Sequence, residues 1–185
     1  MIAAQLGIGA AAEYGIDSAH SSVTFSVRHM MVSNVKGSFK GLTGLVTYDP
    51  NNLPASSVQM TIDAATVNTN EPKRDAHLRS ADFLETEKHP KLSFTSKQIR
   101  KNAAGVLELA GDLTIRGVTK PVVFTVDGPT PEVKGAGGRM VMGASATTKI
   151  SRKEFGVLYN RMMEAGGVVV GDEVTISLDV ELVRK

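Results

Sequence analysis

The side chains best suited to acid–base or metal chemistry are four histidines, at positions 20, 29, 77 and 89. None of them follows the His-Glu-x-x-His spacing or another common zinc-binding pattern. The chain contains no cysteine, which excludes disulfides, thiolate metal ligands and cysteine nucleophiles. The sequence therefore predicts no metal site, and the spacing assigns no residue a catalytic role.

Two short segments approach known catalytic or phosphate-binding motifs without matching them. Gly143-Ala-Ser145-Ala-Thr147 has the serine of a nucleophile elbow but lacks its second glycine. The glycine-rich stretch 135–138 lacks the Gly-Lys-Ser/Thr ending of a phosphate-binding loop. Neither segment supports an enzymatic function.

The segment Arg74-Asp75-Ala-His77 carries two cationic side chains close together. Residues three apart share a face of a helix, so Arg74 and His77 are expected to lie side by side. One interpretation is an ion-pair and capping cluster that holds the helix against the rest of the protein. The other is a binding site for a polar or phosphorylated group. Arg116 and Arg152 are further candidates for this cluster.

Most of the chain shows period-2 alternation of apolar and polar residues, which is typical of half-buried strands. The pattern is clearest in the last segment, where the apolar set is Val174, Ile176, Leu178, Val180 and Leu182. Counting every similar segment, the sequence predicts about eight strands, near residues 22–29, 35–48, 58–62, 92–94, 107–116, 122–126, 140–146 and 174–182. One helix is predicted over Glu71–Leu84, where Pro72 suits a first turn, and a shorter helical turn over Ser151–Phe155.

Strands with one apolar and one polar face indicate an antiparallel sheet that buries one side. With almost no helix available to cover that side, the sheet must form a sandwich or close into a barrel. Several strands are long, and 172–184 has no internal breaker, which favours a barrel. The predicted fold is all-β, an extended eight-stranded antiparallel barrel with one helical insertion. A barrel of this size is either filled by side chains or holds one small ligand.

The composition is that of an ordinary globular domain, with 185 residues, 42% hydrophobic and 22% charged. The net charge is only +2, and no basic run with interleaved aromatic residues occurs, so no nucleic-acid partner is predicted. No stretch approaches the ~20 consecutive apolar residues of a membrane-spanning helix.

The N-terminus differs from the rest of the chain. Residues 1–12 (MIAAQLGIGAAA) are apolar and end in three alanines that suit signal cleavage, yet no Lys or Arg precedes Arg28. We interpret residues 1–13 as a tail or a signal-peptide remnant and 14–185 as the barrel domain. This interpretation predicts a periplasmic or secreted protein, with a cytoplasmic one as the alternative.

A set of strings along the chain resembles the YceI-like family of polyisoprenoid-binding proteins over almost the whole length after Tyr14. The strings, in order, are YGIDSAHS from 14, FSVRH from 25, VKGSF from 35, RDAHLRS from 74, DF at 82, HPKLSF from 89, GDLTIRGVT from 111, SRKEFG from 151 and VGDEV from 170. Tyr14 departs from the family pattern, in which tryptophan is frequent. The resemblance implies a lipocalin-like barrel whose interior accepts a long isoprenoid chain.

The inward positions of the predicted strands include several small residues: Gly37, Gly41, Gly111, Ala144 and Ala146. Glycines in barrel strands commonly serve bends or bulges. The resemblance favours a second interpretation, in which small side chains leave a tunnel for the lipid. The predicted ligand-binding residues are Phe25, Val27, His29, Phe39, Leu92, Phe94, Leu113, Phe124 and Ala144, with Arg74 and His77 at a polar headgroup.

The function implied by the resemblance is binding of a polyprenyl lipid or isoprenoid quinone for transport or storage, with no cofactor and no catalysis. A fatty acid or fatty amide is the alternative ligand. A lipid-modifying enzyme that uses His29 or His77 as its acid or base is the alternative from another class. The sequence leaves open whether the protein is a monomer or a homodimer.

Overall fold

The computed structural model describes residues 11–164 and 166–185, so most of the predicted tail lies outside the described residues. Within them, one 11-stranded sheet carries most of the chain. The strands are β1 Ala12–Ile16, β2 Ser22–His29, β3 Ser33–Phe39, β4 Thr43–Tyr48, β5 Ser57–Asp63, β6 Lys91–Lys101, β7 Leu107–Ile115, β8 Val118–Asp127, β9 Val133–Lys134, β10 Met140–Ser151 and β11 Val170–Arg184. The α-helix in the described residues is α1, Pro72–Arg79, and 3₁₀ turns occupy Leu53–Ala55, Ala64–Thr66, Ala136–Gly138 and Arg152–Phe155.

The sheet closes on itself. Eight strands form the ring in the order β11, β1, β4, β5, β6, β7, β8 and β10, and β10 pairs with β11 to complete it. All these pairings are antiparallel. The predicted eight-stranded antiparallel barrel is therefore confirmed.

β11 is the longest strand, and along one of its edges it pairs with two strands, β1 and β2. Its last residues pair with β1, and residues from Val170 to Asp179 pair with β2, which in turn pairs with β3. The β2–β3 hairpin therefore lengthens the barrel at the end that also carries α1. We call this the helix end, and the opposite end, where β4 leads into β5 and β6 into β7, the far end.

The register confirms the predicted inward face. Phe94, Leu113, Phe124 and Leu178 are all buried. Phe25, Val27 and Ile176 are half-buried; Phe25 pairs directly with Ile176, and paired residues lie on the same face of a sheet. One parity of each strand thus fills the barrel.

The helix is shorter than the sequence predicts, because two polar side chains fix its ends. The Glu71 carboxylate accepts hydrogen bonds from the backbone N–H groups of Lys73 and Arg74, which caps the first turn. At the other end Ser80 is extended, and its hydroxyl donates to the carbonyl of His77 at 2.7 Å. This bond competes with helix continuation, so the predicted residues up to Leu84 form turns instead.

The segment 35–48, predicted as one strand, divides into β3 and β4. Gly41 adopts a left-handed backbone, with φ of +71°, which residues other than glycine rarely adopt. The chain turns there and buries Leu42, so that β4 can pair with β1 and β5. For Gly41, therefore, the bend interpretation is correct.

Candidate functional site

The half of the barrel toward the far end contains an apolar cavity of about 90 Å³. Its surface consists entirely of apolar atoms. The cavity is lined from β4, β5, β10 and β11 by side chains that include Val46, Val58, Met60, Met142, Ala144, Ala146 and Leu178. Such a space can hold a hydrocarbon chain but offers nothing for binding a charged group.

A groove on the surface at the far end lies next to the cavity. Four residues line both spaces, Tyr48, Leu107, Val126 and Pro129, and we call them the collar. The groove, here called the mouth groove, has a volume of about 650 Å³ and adds polar residues from β6, β8 and β10. The cavity therefore adjoins the surface groove at the end opposite the helix.

Two pairs of aromatic rings lie toward the helix end of the barrel. Phe94 and Phe124 meet edge to face with their ring centroids 5.3 Å apart, and Phe25 and Phe39 lie 5.6 Å apart. Phe94 and Phe124 are buried in the core, whereas Phe25 and Phe39, on β2 and β3 outside the eight-strand ring, are half-buried.

Two of the predicted small residues make room for these rings. A Cβ built on Gly111 would lie 2.6 Å from Cζ of Phe94, and one built on Gly37 would lie 2.6 Å from Cε1 of Phe25. Gly37 and Gly111 therefore seat phenylalanine rings and do not widen a tunnel. Ala144 and Ala146, by contrast, line the cavity as the second interpretation expects.

Replacing Gly111 with alanine should destabilise the protein by about 1–3 kcal/mol, because the new methyl group would also meet Thr95 O and lie 2.8 Å from Cα of Ser96. Thermal unfolding measures the effect. The matched control is Gly143→Ala in β10, where the nearest atom is 3.6 Å away. Equal melting temperatures for the two variants would contradict the crowding inferred at Gly111.

The predicted ligand-binding residues fall into two groups. Ala144 lies in the cavity, whereas the apolar residues Phe25, Val27, Phe39, Leu92, Phe94, Leu113 and Phe124 lie outside its lining. His29 is half-buried at the end of β2, where it pairs with Ser33 and Val170. A role for these eight residues in ligand binding stays a prediction. Reasoning from the sequence missed the cavity residues Val46, Met60 and Met142, although alternation in β5 and β10 placed two of them on inward faces.

Arg74 and His77 lie at the helix end and make contacts within the protein. The Arg74 guanidinium donates to Thr69, from Nε to the hydroxyl at 2.7 Å and from Nη2 to the carbonyl at 3.0 Å. His77 Nε2 lies 2.7 Å from Oδ2 of Asp82, and its ring packs edge-on against Phe83 and Tyr159. These contacts match the interpretation as a structural cluster, while headgroup binding stays a prediction.

Arg116 and Arg152, the two further candidates for this cluster, also bind backbone carbonyls at the helix end. Arg116 donates to the carbonyls of Gly156 and Ala81 and forms an ion pair with Glu85 at 3.3 Å. Arg152 is 6% exposed and donates to four carbonyls between residues 157 and 171. Burial lowers the pKa of the Arg152 guanidinium from its ordinary value, while Asp172 opposes that shift.

A cluster of three possible metal ligands lies on the outside of the barrel. Nδ1 of His20 is 3.1 Å from Oδ2 of Asp17 and 3.8 Å from Oε1 of Glu181. The hydrogen bond with Asp17 raises the pKa of His20, and the same bond lowers the pKa of Asp17. Glu181 is far away in sequence, so the spacing of residues could not reveal this cluster. Asp17 already hydrogen-bonds the histidine and Glu181 lies at ion-pair distance, so the cluster is an ordinary surface ion pair.

The model of the YceI-like domain matches residues 14–182. The chain belongs to the YceI-like family. A UPF0312 protein of Staphylococcus aureus is 34% identical over 168 residues, covering 91% of this chain and 95% of that protein. A UPF0312 protein of Vibrio cholerae is 39% identical over 153 residues, covering 80% of this chain and 78% of its own.

Solved structures of the same fold include three bacterial proteins. The YCEI protein of Campylobacter jejuni has a TM-score of 0.68 and 30% identity, covering 85% of this chain and 90% of its own. BcnA of Burkholderia cenocepacia has a TM-score of 0.75 and 23% identity, with coverage of 90% and 98%. A polyisoprenoid-binding domain from Saccharophagus degradans has a TM-score of 0.65 and 14% identity, with coverage of 93% and 98%. In the described part of the chain, no helix has the length and hydropathy needed to cross a bilayer.

Proposed function

We propose that this YceI-like protein binds a long isoprenoid lipid in the barrel interior and serves as its carrier or store. The observation that carries the proposal is the cavity lined only by apolar atoms, which adjoins a surface groove at the collar. The likeness in fold to a polyisoprenoid-binding domain from Saccharophagus degradans supports the same ligand class. The protein acts by binding, and no reaction is proposed.

Apolar burial alone is sufficient for such a ligand. Each buried CH₂ group contributes up to ~0.8 kcal/mol, so one five-carbon unit contributes about 3–4 kcal/mol before opposing costs. Ordering the flexible chain and the loss of translational freedom consume much of this gain. The cavity therefore needs few polar contacts, in agreement with its apolar lining.

Loading requires the barrel interior to rearrange. The cavity of about 90 Å³ is smaller than the ~300–1,000 Å³ that is usual for small-molecule pockets. Met60 and Met142 line it, and methionine side chains adapt their shape more readily than branched ones. We expect these two side chains to change rotamer first. The narrow cavity also favours the second candidate ligand, an unbranched fatty acid or fatty amide.

Native mass spectrometry of gently purified protein tests the proposal and separates the two ligands. An isoprenoid should give bound masses that differ by whole five-carbon units, whereas acyl chains should differ by two-carbon units. Protein that carries an acyl series, or takes up no lipid when incubated with prenyl alcohols, would contradict the isoprenoid assignment.

A further inference from the structure

We propose that Tyr14, Glu132 and Arg184 form a latch that holds residues 128–139 over the far end of the barrel, and that release of this latch admits lipid to the cavity. We call residues 128–139 the strap. This inference rests on the proposed function, because it assigns what regulates access to the same cavity.

The strap connects β8 to β10 and lies at the boundary between the cavity and the mouth groove. Its second residue, Pro129, lines both spaces. The N–H of Thr130 then donates to the carbonyl of Gly143 at 2.8 Å, and β9, which lies within the strap, pairs with β10. β9 ends the strand order, so its other edge has no strand partner among the described residues. The backbone of the strap is thus held along one edge, and side chains must fix it on the other side.

The latch joins the strap to a more distant part of the barrel wall. Tyr14 Oη donates to Oε1 of Glu132 at 2.8 Å, and Nη1 of Arg184 donates to Oε2 of the same carboxylate at 3.3 Å. Tyr14 and Arg184 face each other on β1 and β11, and β1 lies three strands from β9 around the sheet. Because neighbouring strands are ~4.8 Å apart, these contacts cross the inside of the barrel end and do not link adjacent strands.

The strand register places the latch on the inner face, next to the cavity. Tyr14 is 4% exposed and pairs with Val46, which lines the cavity. Ile16 and Leu182 also line it, and each lies two residues along its strand from a latch residue. Residues two apart in a strand share a face. The latch therefore lies just beyond the cavity lining, toward the far end.

The contacts of the latch are strong enough to keep the strap closed and weak enough to open. Burial raises the pKa of Tyr14 to about 12, and its hydrogen bond with Glu132 acts in the same direction, so the phenol remains a donor near neutral pH. The side chains of Glu132 and Arg184 are 26% and 48% exposed, so water can replace their contacts when the strap moves. A hydrogen bond to a charged group shifts a two-state population by roughly tenfold or more.

The latch should govern the rate of lipid exchange and not the affinity. The cavity of about 90 Å³ is too small to take up a lipid without rearrangement. If the latch breaks during passage and forms again in both the empty and the loaded protein, it favours neither state. It then slows entry and release by the same factor.

Tyr14→Phe is the main test, because it removes the hydroxyl and keeps the ring. The probe is retinol, a twenty-carbon isoprenoid alcohol whose fluorescence rises when it leaves water. Stopped-flow mixing measures its uptake, and displacement by an unlabelled prenyl alcohol measures its release. We expect both rates to rise by roughly tenfold or more, while the dissociation constant changes by less than about threefold. Unchanged rates in folded Tyr14→Phe protein would overturn the latch.

Two further variants separate the latch from the surface charges around it. Glu132→Gln keeps an acceptor for the hydroxyl of Tyr14 but loses the ion pair with Arg184, so it should raise both rates less than Tyr14→Phe does. The matched control is Lys185→Met, which removes the exposed ion pair with Glu13 on the outer face of the same strands. It should exchange retinol like the unaltered protein. Equal acceleration in Lys185→Met and Glu132→Gln would count against the latch.

Hydrogen exchange detects the opening without lipid. In Tyr14→Phe the amides of the strap should exchange faster, whereas those of β5 and β6 should keep their rates. Faster exchange throughout the barrel would mean that Tyr14 stabilises the fold as a whole, and unchanged exchange in the strap would mean that the hydroxyl does not hold it; either result would overturn the latch. Unaltered protein that takes up no retinol and no prenyl alcohol would instead overturn the proposed function.

Discussion

Ala146→Phe is expected to abolish most lipid binding while leaving the barrel folded. Ala146 pairs with Leu178 on β11 and with Val126 on β8, and its side chain lines the cavity. A phenyl ring at this position would fill a cavity of only about 90 Å³. If the ring excludes one five-carbon unit of the lipid from the cavity, about 3–4 kcal/mol of favourable free energy of burial is lost. The affinity for the lipid should then fall by roughly a hundredfold or more. Ala144→Phe should act in the same way.

The destabilisation that accompanies Ala146→Phe should be tolerable, since overpacking typically costs ~1–3 kcal/mol. The matched control is Val123→Phe on β8, where the original side chain is 47% exposed and the added ring lies in solvent. Lipid uptake and thermal unfolding are measured for both variants. A folded Ala146→Phe protein that takes up lipid as well as Val123→Phe does would show that the tail bypasses this position.

The barrel could be predicted because its main signal is local. Alternation in 174–182 depends only on neighbouring residues, and it correctly placed Leu178 inside the barrel. The division of 35–48 into two strands depends on which strands β3 and β4 join, and pairing partners lie far apart in sequence. For the same reason the sequence did not reveal that one edge of β11 pairs with both β1 and β2.

The cavity was harder to predict, because free space depends on which ring fills which gap. Alternation predicts both Gly111 and Ala146 as small inward residues, yet the ring of Phe94 covers Gly111 whereas Ala146 borders the cavity. Phe94 reaches Gly111 across the β6–β7 pairing, close to the register shift between Ser96 and Gln98. Alternation shows on which side a residue lies but not how large side chains divide the interior.

Arg152→Met is expected to lower the free energy of unfolding by about 3–5 kcal/mol, because it removes the guanidinium donors of four carbonyls, of which the carbonyl of Val170 keeps the Asn160 amide as a donor. Nε donates to Gly171 at 2.8 Å, while Nη1 donates to Val157 at 2.7 Å and Tyr159 at 2.9 Å. These bonds hold the start of β11 against the residues that follow the 3₁₀ turn Arg152–Phe155. At ~2–4 °C per kcal/mol for a domain of this size, the melting temperature should fall by roughly 6–20 °C.

Lys153→Met is the control for charge, since it removes the same positive charge from the neighbouring, exposed position. Its melting temperature should stay close to that of the unaltered protein. Arg152→Lys should lie between, because one ammonium group cannot reach four carbonyls with the geometry of a guanidinium. If Arg152→Met and Lys153→Met melt alike, the bonds of Arg152 contribute little. If Arg152→Lys restores full stability, the charge matters and the geometry does not. Residues 157–164 and 166–170 lie at the helix end and do not line the cavity. At temperatures well below the melting temperature, Arg152→Met should therefore bind lipid with the affinity of the unaltered protein.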